Sequence, residues 1–206
     1  WVFDDDFNIL NAGFADLTSF FYLAPWILIF LIPAITMKTF ADEFRSGTIE
    51  ILKTRPITNV TLVLGKFFAI LTLLIIVLIP TFVYAYSIHE LGNPVGNLDY
   101  GSISGSYLGL FLLASSFASI GIFTSTLSKN QVVAFLLGIC MVFLFYYGFD
   151  AVSSLFGDYS YTIKLFGMNE HYKSISRGVI DSRDVLYFMS IIIFFLFVSK
   201  QKLTNE

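Results

Sequence analysis

Charge is scarce in these 206 residues. Only 13% are Asp, Glu, Lys or Arg, about half the ~25% of a soluble globular domain. Cysteine is nearly missing, with Cys140 the single example. One thiol forms no internal disulfide and no clustered metal site, so a disulfide scaffold is excluded. Cys140 lies in an apolar run and reads as a small buried or lipid-facing side chain. The net charge of −3 leaves no broad basic face, which excludes nucleic acid as a partner. No G-x-x-x-x-G-K-[ST] phosphate loop occurs, so these residues do not bind ATP in that way. There is also no G-x-S-x-G elbow. His89 beside Glu90 and His171 beside Glu170 lack further ligands for a metal. No catalytic, cofactor or metal residue is therefore assigned. Internal repeats and low-complexity tracts are absent.

Apolar residues make up 56% of the chain, including 24 Phe, and the mean hydropathy is +0.78. That excludes a disordered chain. A membrane-crossing helix needs about 20 apolar residues at about 1.5 Å rise each. Five stretches qualify or nearly qualify: Leu17 to Met37, Val60 to Tyr86, Tyr107 to Leu127, Val132 to Phe149, and the shorter Val185 to Ser199. The last is followed by Lys200 and Lys202, whose stems can snorkel to the interface. The expected fold is an all-α, polytopic transmembrane bundle forming a single domain over residues 1–206.

The connecting segments differ in kind. Residues 1–16 are acidic and polar, 38–59 charged and amphipathic, and 87–106 rich in Gly and Asn, a turn-prone composition. Residues 128–131 are a tight link. Residues 150–184 form the largest polar segment, an expected external region of loop and short helices. Within it, residues 151–157 are too short to span and read as an interfacial or re-entrant piece. Residues 167–184 alternate in charge and read as a solvated helix or loop.

Charge sets the expected orientation. With residues 1–16 outside, five spans put 38–59, 128–131 and the C-terminus inside. Lys38, Arg45, Lys53, Arg55, Lys66, Lys129, Lys200 and Lys202 are then inside, eight of the 12 basic residues. Of the 15 acidic residues, only Asp42, Glu43, Glu50 and Glu206 join them. This bias is what the positive-inside rule requires. An external start with no basic leader at Asp4, Asp5 and Asp6 is an awkward product of biosynthesis. A sixth span upstream of Trp1 would repair it and is expected. No Asp, Glu or Arg lies in the middle of a span, which argues against an ion-coupled pump. The driving energy must then come from outside the membrane part.

Segment 38–59 carries the most information. Phe40, Phe44, Ile51 and Leu52 fall on one helical face, and Asp42, Glu43, Arg45 and Glu50 occupy the others. Gly47 interrupts this helix and marks a bend or a junction between two short helices, Pro56 ends the segment, and Thr58 or Asn59 can cap the following span. One reading is a plain interfacial anchor on the lipid bilayer. The other is a docking surface for a cytoplasmic protein. In the third span, Ala114 with Ala118 and Gly121 with Ser125 repeat small residues at spacing four, which permits close helix packing. A translocation path or subunit interface is the alternative there.

The run Glu43-Phe44-Arg45-Ser46-Gly47-Thr48-Ile49-Glu50-Ile51-Leu52-Lys53-Thr54-Arg55-Pro56, then Leu64-Gly65-Lys66-Phe67, resembles the permeases of the ABC-2 transporter type. Ile49 stands where that motif usually has Leu. More narrowly, the chain resembles the gliding-motility-associated permease subunit of Bacteroidetes. Phe7 to Leu10, Gly13 to Leu17, Leu23 to Trp26, Leu91 to Asp99 and Gly121 to Phe123 carry that likeness. The resemblance runs over most of the chain and implies six spans and a multi-pass inner-membrane exporter subunit. It also implies a dimer with itself or a second permease, and a separate cytoplasmic ABC ATPase. No enzymatic activity of its own is implied. The coupling region maps to Phe40 through Pro56, including Gly47 and Thr48. Glu43, Arg45, Glu50 and Arg55 are then rim contacts, and Phe40, Phe44 and Ile51 hold the helix in place. The rivals are a non-transporting scaffold for a cytoplasmic partner and, more weakly, an intramembrane enzyme.

Overall fold

The computed structural model describes residues 17–91, 98–156 and 159–205. Helix is the regular structure of these residues, with no strand among them. The helices are α1 (Thr18–Thr36), α2 (Lys38–Ser46), α3 (Thr48–Thr54), α4 (Asn59–Leu78), α5 (Phe82–Leu91), α6 (Tyr100–Thr126), α7 (Gln131–Phe143), α8 (Phe149–Ser153), α9 (Ser160–Lys164), α10 (Met168–Ser176) and α11 (Ser182–Thr204). Five continuous helical stretches are long and apolar enough to cross a membrane: Thr18–Ser46, Asn59–Glu90, Tyr100–Thr126, Gln131–Ser153 and Ser182–Thr204. Each overlaps one of the five expected spans.

All five boundaries differ in detail: the first helical stretch continues to Ser46 and the fifth runs Ser182–Thr204, beyond Val185 to Ser199 at both ends. The third span begins seven residues earlier than Tyr107, so residues 100–106 are helix rather than loop. Asp99 starts it by accepting a hydrogen bond from the Ser102 amide at 3.1 Å. Gly105, part of the composition that reads as turn-prone, serves close packing instead. The second span continues to Glu90 with a short 3-10 turn, Ile79–Thr81, around Pro80, as the missing proline N–H requires. The fourth span passes through a π-helical turn, Leu144–Gly148, into α8, so residues 151–153 extend the span rather than forming a separate re-entrant piece.

The core is built around α6. Its apolar stretch is 78% buried, against 22% to 44% for the other four spans. Lipid tails supply no hydrophobic drive between helices, so contact must come from close packing. Small residues permit that. A Cβ on Gly121 would lie 2.9 Å from Thr36 Cβ, and one on Gly105 would lie 2.5 Å from the Ile175 carbonyl oxygen. Ala114, Ala118 and Ser125 are also buried. Long apolar side chains such as Phe68, Ile76, Leu136 and Phe194 point outward, as lipid-facing positions should. Cys140 is exposed on the same kind of surface.

Segment 167–184 is not a simple solvated loop. Met168, Tyr172 and Ile175 of α10 are buried against the bundle. Ser102 donates to the Ser176 carbonyl at 2.9 Å, and Tyr172 donates to the Phe21 carbonyl at 2.8 Å. Burial raises the Tyr172 phenol above its ordinary pKa, which keeps it a donor. His171 Nδ1 lies 2.7 Å from Asp184 and its Nε2 lies 2.9 Å from the Leu165 carbonyl. The ring thus bridges the start of α11 and the turn before α10.

Gly105→Ala should destabilise the purified protein by roughly 1–3 kcal/mol, the usual cost of overpacking. At Gly65 a Cβ would meet nothing within 4 Å, so Gly65→Ala should stabilise by about 0.5–1 kcal/mol through helix propensity. Thermal melts in detergent compare the two. Equal shifts would contradict the close approach at Gly105.

Candidate functional site

The end of the bundle that holds α2 and α3 gathers most of the singled-out residues. Gly47 adopts φ 72°, the left-handed conformation that terminates α2 and starts α3 in a new direction. Thr58 then caps α4 by accepting from the Thr61 amide at 3.2 Å. Asn59 Nδ2 donates to Thr204 Oγ1 at 3.2 Å, joining the start of α4 to the end of α11.

The break at Gly47 changes which residues face inward. Phe40 is fully buried and Phe44 is half-buried, as expected. Ile51 is not beside them: it is 61% exposed, and Ile49 is the buried residue of α3. The spacing from Phe40 to Ile51 places both on one face only if the helix is unbroken. A left-handed glycine between them resets that phase. Thr48, Glu50, Arg55 and Pro56 are exposed as well.

Glu43 also departs from expectation. It is not a rim residue but turns into the bundle. Its Oε1 pairs with Lys66 Nζ at 2.5 Å, and both side chains are less than a quarter exposed. Lys66 also donates to the Thr39 carbonyl and lies 4.1 Å above the Phe40 ring. A cation near the start of an apolar span needs such partners to offset its lost hydration. The cation–π contact adds to the pairing.

Two further links tie α2 to the bundle. Thr39 Oγ1 and Ser125 Oγ are 2.7 Å apart, joining α2 to the end of α6. Asp42 Oδ1 accepts from Gln131 Nε2 and from Arg45 Nη2, both at 2.7 Å. Thus α2 is held to α4, α6 and α7 at once. Ala114, Ala118 and Gly121 lie deeper along α6 and do not join this cluster, whereas Ser125 does. The sequence points to Lys66 but not to its partner, and gives no sign of Thr39 or Gln131. The position of Lys66 in the apolar span was the available signal. For Thr39 and Gln131 there was none, because their partners are 86 and 89 residues away.

What this arrangement offers chemically is rigidity on one side and display on the other. Arg45, Glu50, Ile51 and Arg55 project away from the bundle. Among the described residues no cluster of His, Cys, Asp or Glu is arranged to hold a metal ion.

Replacing Lys66 with Met should cost roughly 1–3 kcal/mol, below the ~3–5 kcal/mol of breaking a fully buried pair. Adding Glu43→Gln to that variant should recover part of the loss, because the stranded carboxylate is removed. Melting of the single and double variants in detergent checks this. A Lys66→Met variant as stable as the parent would remove the pair from consideration.

A family model described as ABC-2 family transporter protein matches residues 6–176. No curated protein and no solved structure matches the chain.

Proposed function

The chain belongs to the ABC-2 family of transporter proteins, the membrane components of ABC transporters, and from that premise we propose that residues 38–59 couple it to a separate cytoplasmic ABC ATPase. The observation that carries the reading is the double-sided construction of α2 and α3. Their inner side is clamped by Glu43–Lys66, Thr39–Ser125 and Asp42–Gln131. Their outer side presents Arg45, Glu50, Arg55 and the exposed apolar Ile51. An apolar residue ringed by charges of both signs suits a protein surface better than a lipid one. The clamps transmit a push on that surface to α4, α6 and α7 together.

In this reading the protein is the permease of an exporter in the cytoplasmic (inner) membrane, working as a dimer with itself or with a second permease. ATP hydrolysis in the partner drives the movement. The 38–59 segment lies on the cytoplasmic side, in keeping with the excess of Lys and Arg at that end, and residues 150–184 lie outside. The motif likeness to gliding-motility permeases supports a role in gliding motility. The competing reading, a scaffold that docks a partner without transport, accommodates the same exposed residues. It gives no reason for fastening α2 to three spans.

Glu50→Lys should abolish co-purification of the ATPase and reduce its stimulated turnover about tenfold or more, while leaving the permease melting temperature unchanged. Unaltered association and turnover would refute coupling through α3. A hydrolysis-dead ATPase separates the two readings: transport stops in an exporter, whereas a scaffold phenotype persists.

A further inference from the structure

A second polar site lies at the opposite end of the bundle. There α1, the π turn, α8, α9 and α10 surround a cavity of about 340 Å³. Its aromatic wall is formed by Trp26, Tyr146 and Tyr147. The Trp26 ring lies 5.7 Å from Tyr147 and 5.9 Å, edge to face, from Tyr146. The π turn places both tyrosines and is the kind of local helix widening often found at functional sites.

Four charges line the same cavity: Asp150, Glu170, Lys164 and Lys173. Asp150 is fixed by the Asn169 amide, which donates to its Oδ2 at 2.5 Å and ties α8 to α10. Among the described residues these four charges make no ion pair with one another or with any other group. Two carboxylates and two ammonium groups therefore share one cavity without neutralising each other directly. A ligand of a single sign would satisfy half of them and repel the rest. A zwitterion satisfies both.

The aromatic wall selects the cationic end. Trp and Tyr faces attract an ammonium group, and Asp150 and Glu170 add opposite charge. Lys164 and Lys173 suit a phosphate. Tyr147 lies in the last two turns of the fourth span, Gln131–Ser153, the level at which aromatic side chains meet lipid headgroups, and Trp26 stands below it at the middle of α1. We propose that this cavity binds a phosphoethanolamine group, presented by the headgroup of a bilayer phospholipid. This does not depend on the coupling reading, because none of the residues at issue lies in α2 or α3.

The test is calorimetric titration of the full-length protein in detergent with dihexanoyl phosphatidylethanolamine. Saturable binding near one per chain is expected, with dihexanoyl phosphatidylglycerol at least tenfold weaker. Lys164→Ala and Glu170→Gln, which remove no hydrogen bond or ion pair described within the fold, should each weaken binding tenfold or more. Lys200→Ala, at the other end of α11, should leave it unchanged. Equal binding of the two lipids would overturn the proposal. So would parental affinity in both cavity variants, or an equal loss in Lys200→Ala. Free phosphoethanolamine distinguishes the source. Weaker binding than the lipid supports a headgroup, and equal binding keeps the aminophosphate site but overturns the bilayer as its origin.

Discussion

The close approach of neighbouring helices to α6 is the constraint on which the structure depends. In a bilayer, burying one apolar helix against another gains little over burying it in lipid. What distinguishes contact from dispersal is the density of van der Waals packing and the few polar links that lipid cannot make. At Gly105 the backbone of α10 comes near enough to exclude a methyl group, and at Gly121 the side chain of Thr36 does so. Those two points fix α10 at one end of α6 and the end of α1 at the other. Tyr172 and Ser102 add hydrogen bonds where α10 crosses, and Thr39 with Ser125 does the same at the far end.

From that strut the two ends of the molecule acquire different characters. At the α2 end, polar side chains find partners across the bundle, and charges that would be costly near the membrane are paired. The Glu43–Lys66 pair exemplifies this, since neither charge would be tolerated alone at that depth. At the opposite end, charges of both signs are brought together around aromatic rings without direct pairing. The first arrangement fastens α2 to three spans. The second leaves electrostatic demand open to a ligand. Both follow from the same requirement that polar groups near lipid be answered by something.

Much of the fold could be read in advance, because its signals are local and strong. Runs of apolar residues about 20 long name the spans without knowledge of their neighbours. The cap at Thr58 and the bend at Gly47 were legible for the same reason, since each acts within a few residues. The start of α6 is not legible in the sequence because glycine carries two meanings. In water it marks a turn, whereas between membrane helices it marks close packing. The inward face of α3 was misassigned because one left-handed residue changes the phase of all that follow. The motif Leu91 to Asp99 falls largely outside the described residues, as do residues 1–16.

By itself the sequence determined that the protein is helical, that it has five membrane-spanning stretches here, and that one charged amphipathic segment separates the first two. Hydropathy, helix length and residue type along the chain are sufficient for those conclusions. Only the tertiary structure decided that α6 is the central helix, that Glu43 belongs to Lys66, and that Ile49 rather than Ile51 is buried. It alone brought Trp26 to Tyr147, Asp150 and Lys173. These depend on contacts between residues far apart in sequence, and helix periodicity carries no information about which distant helix will lie alongside.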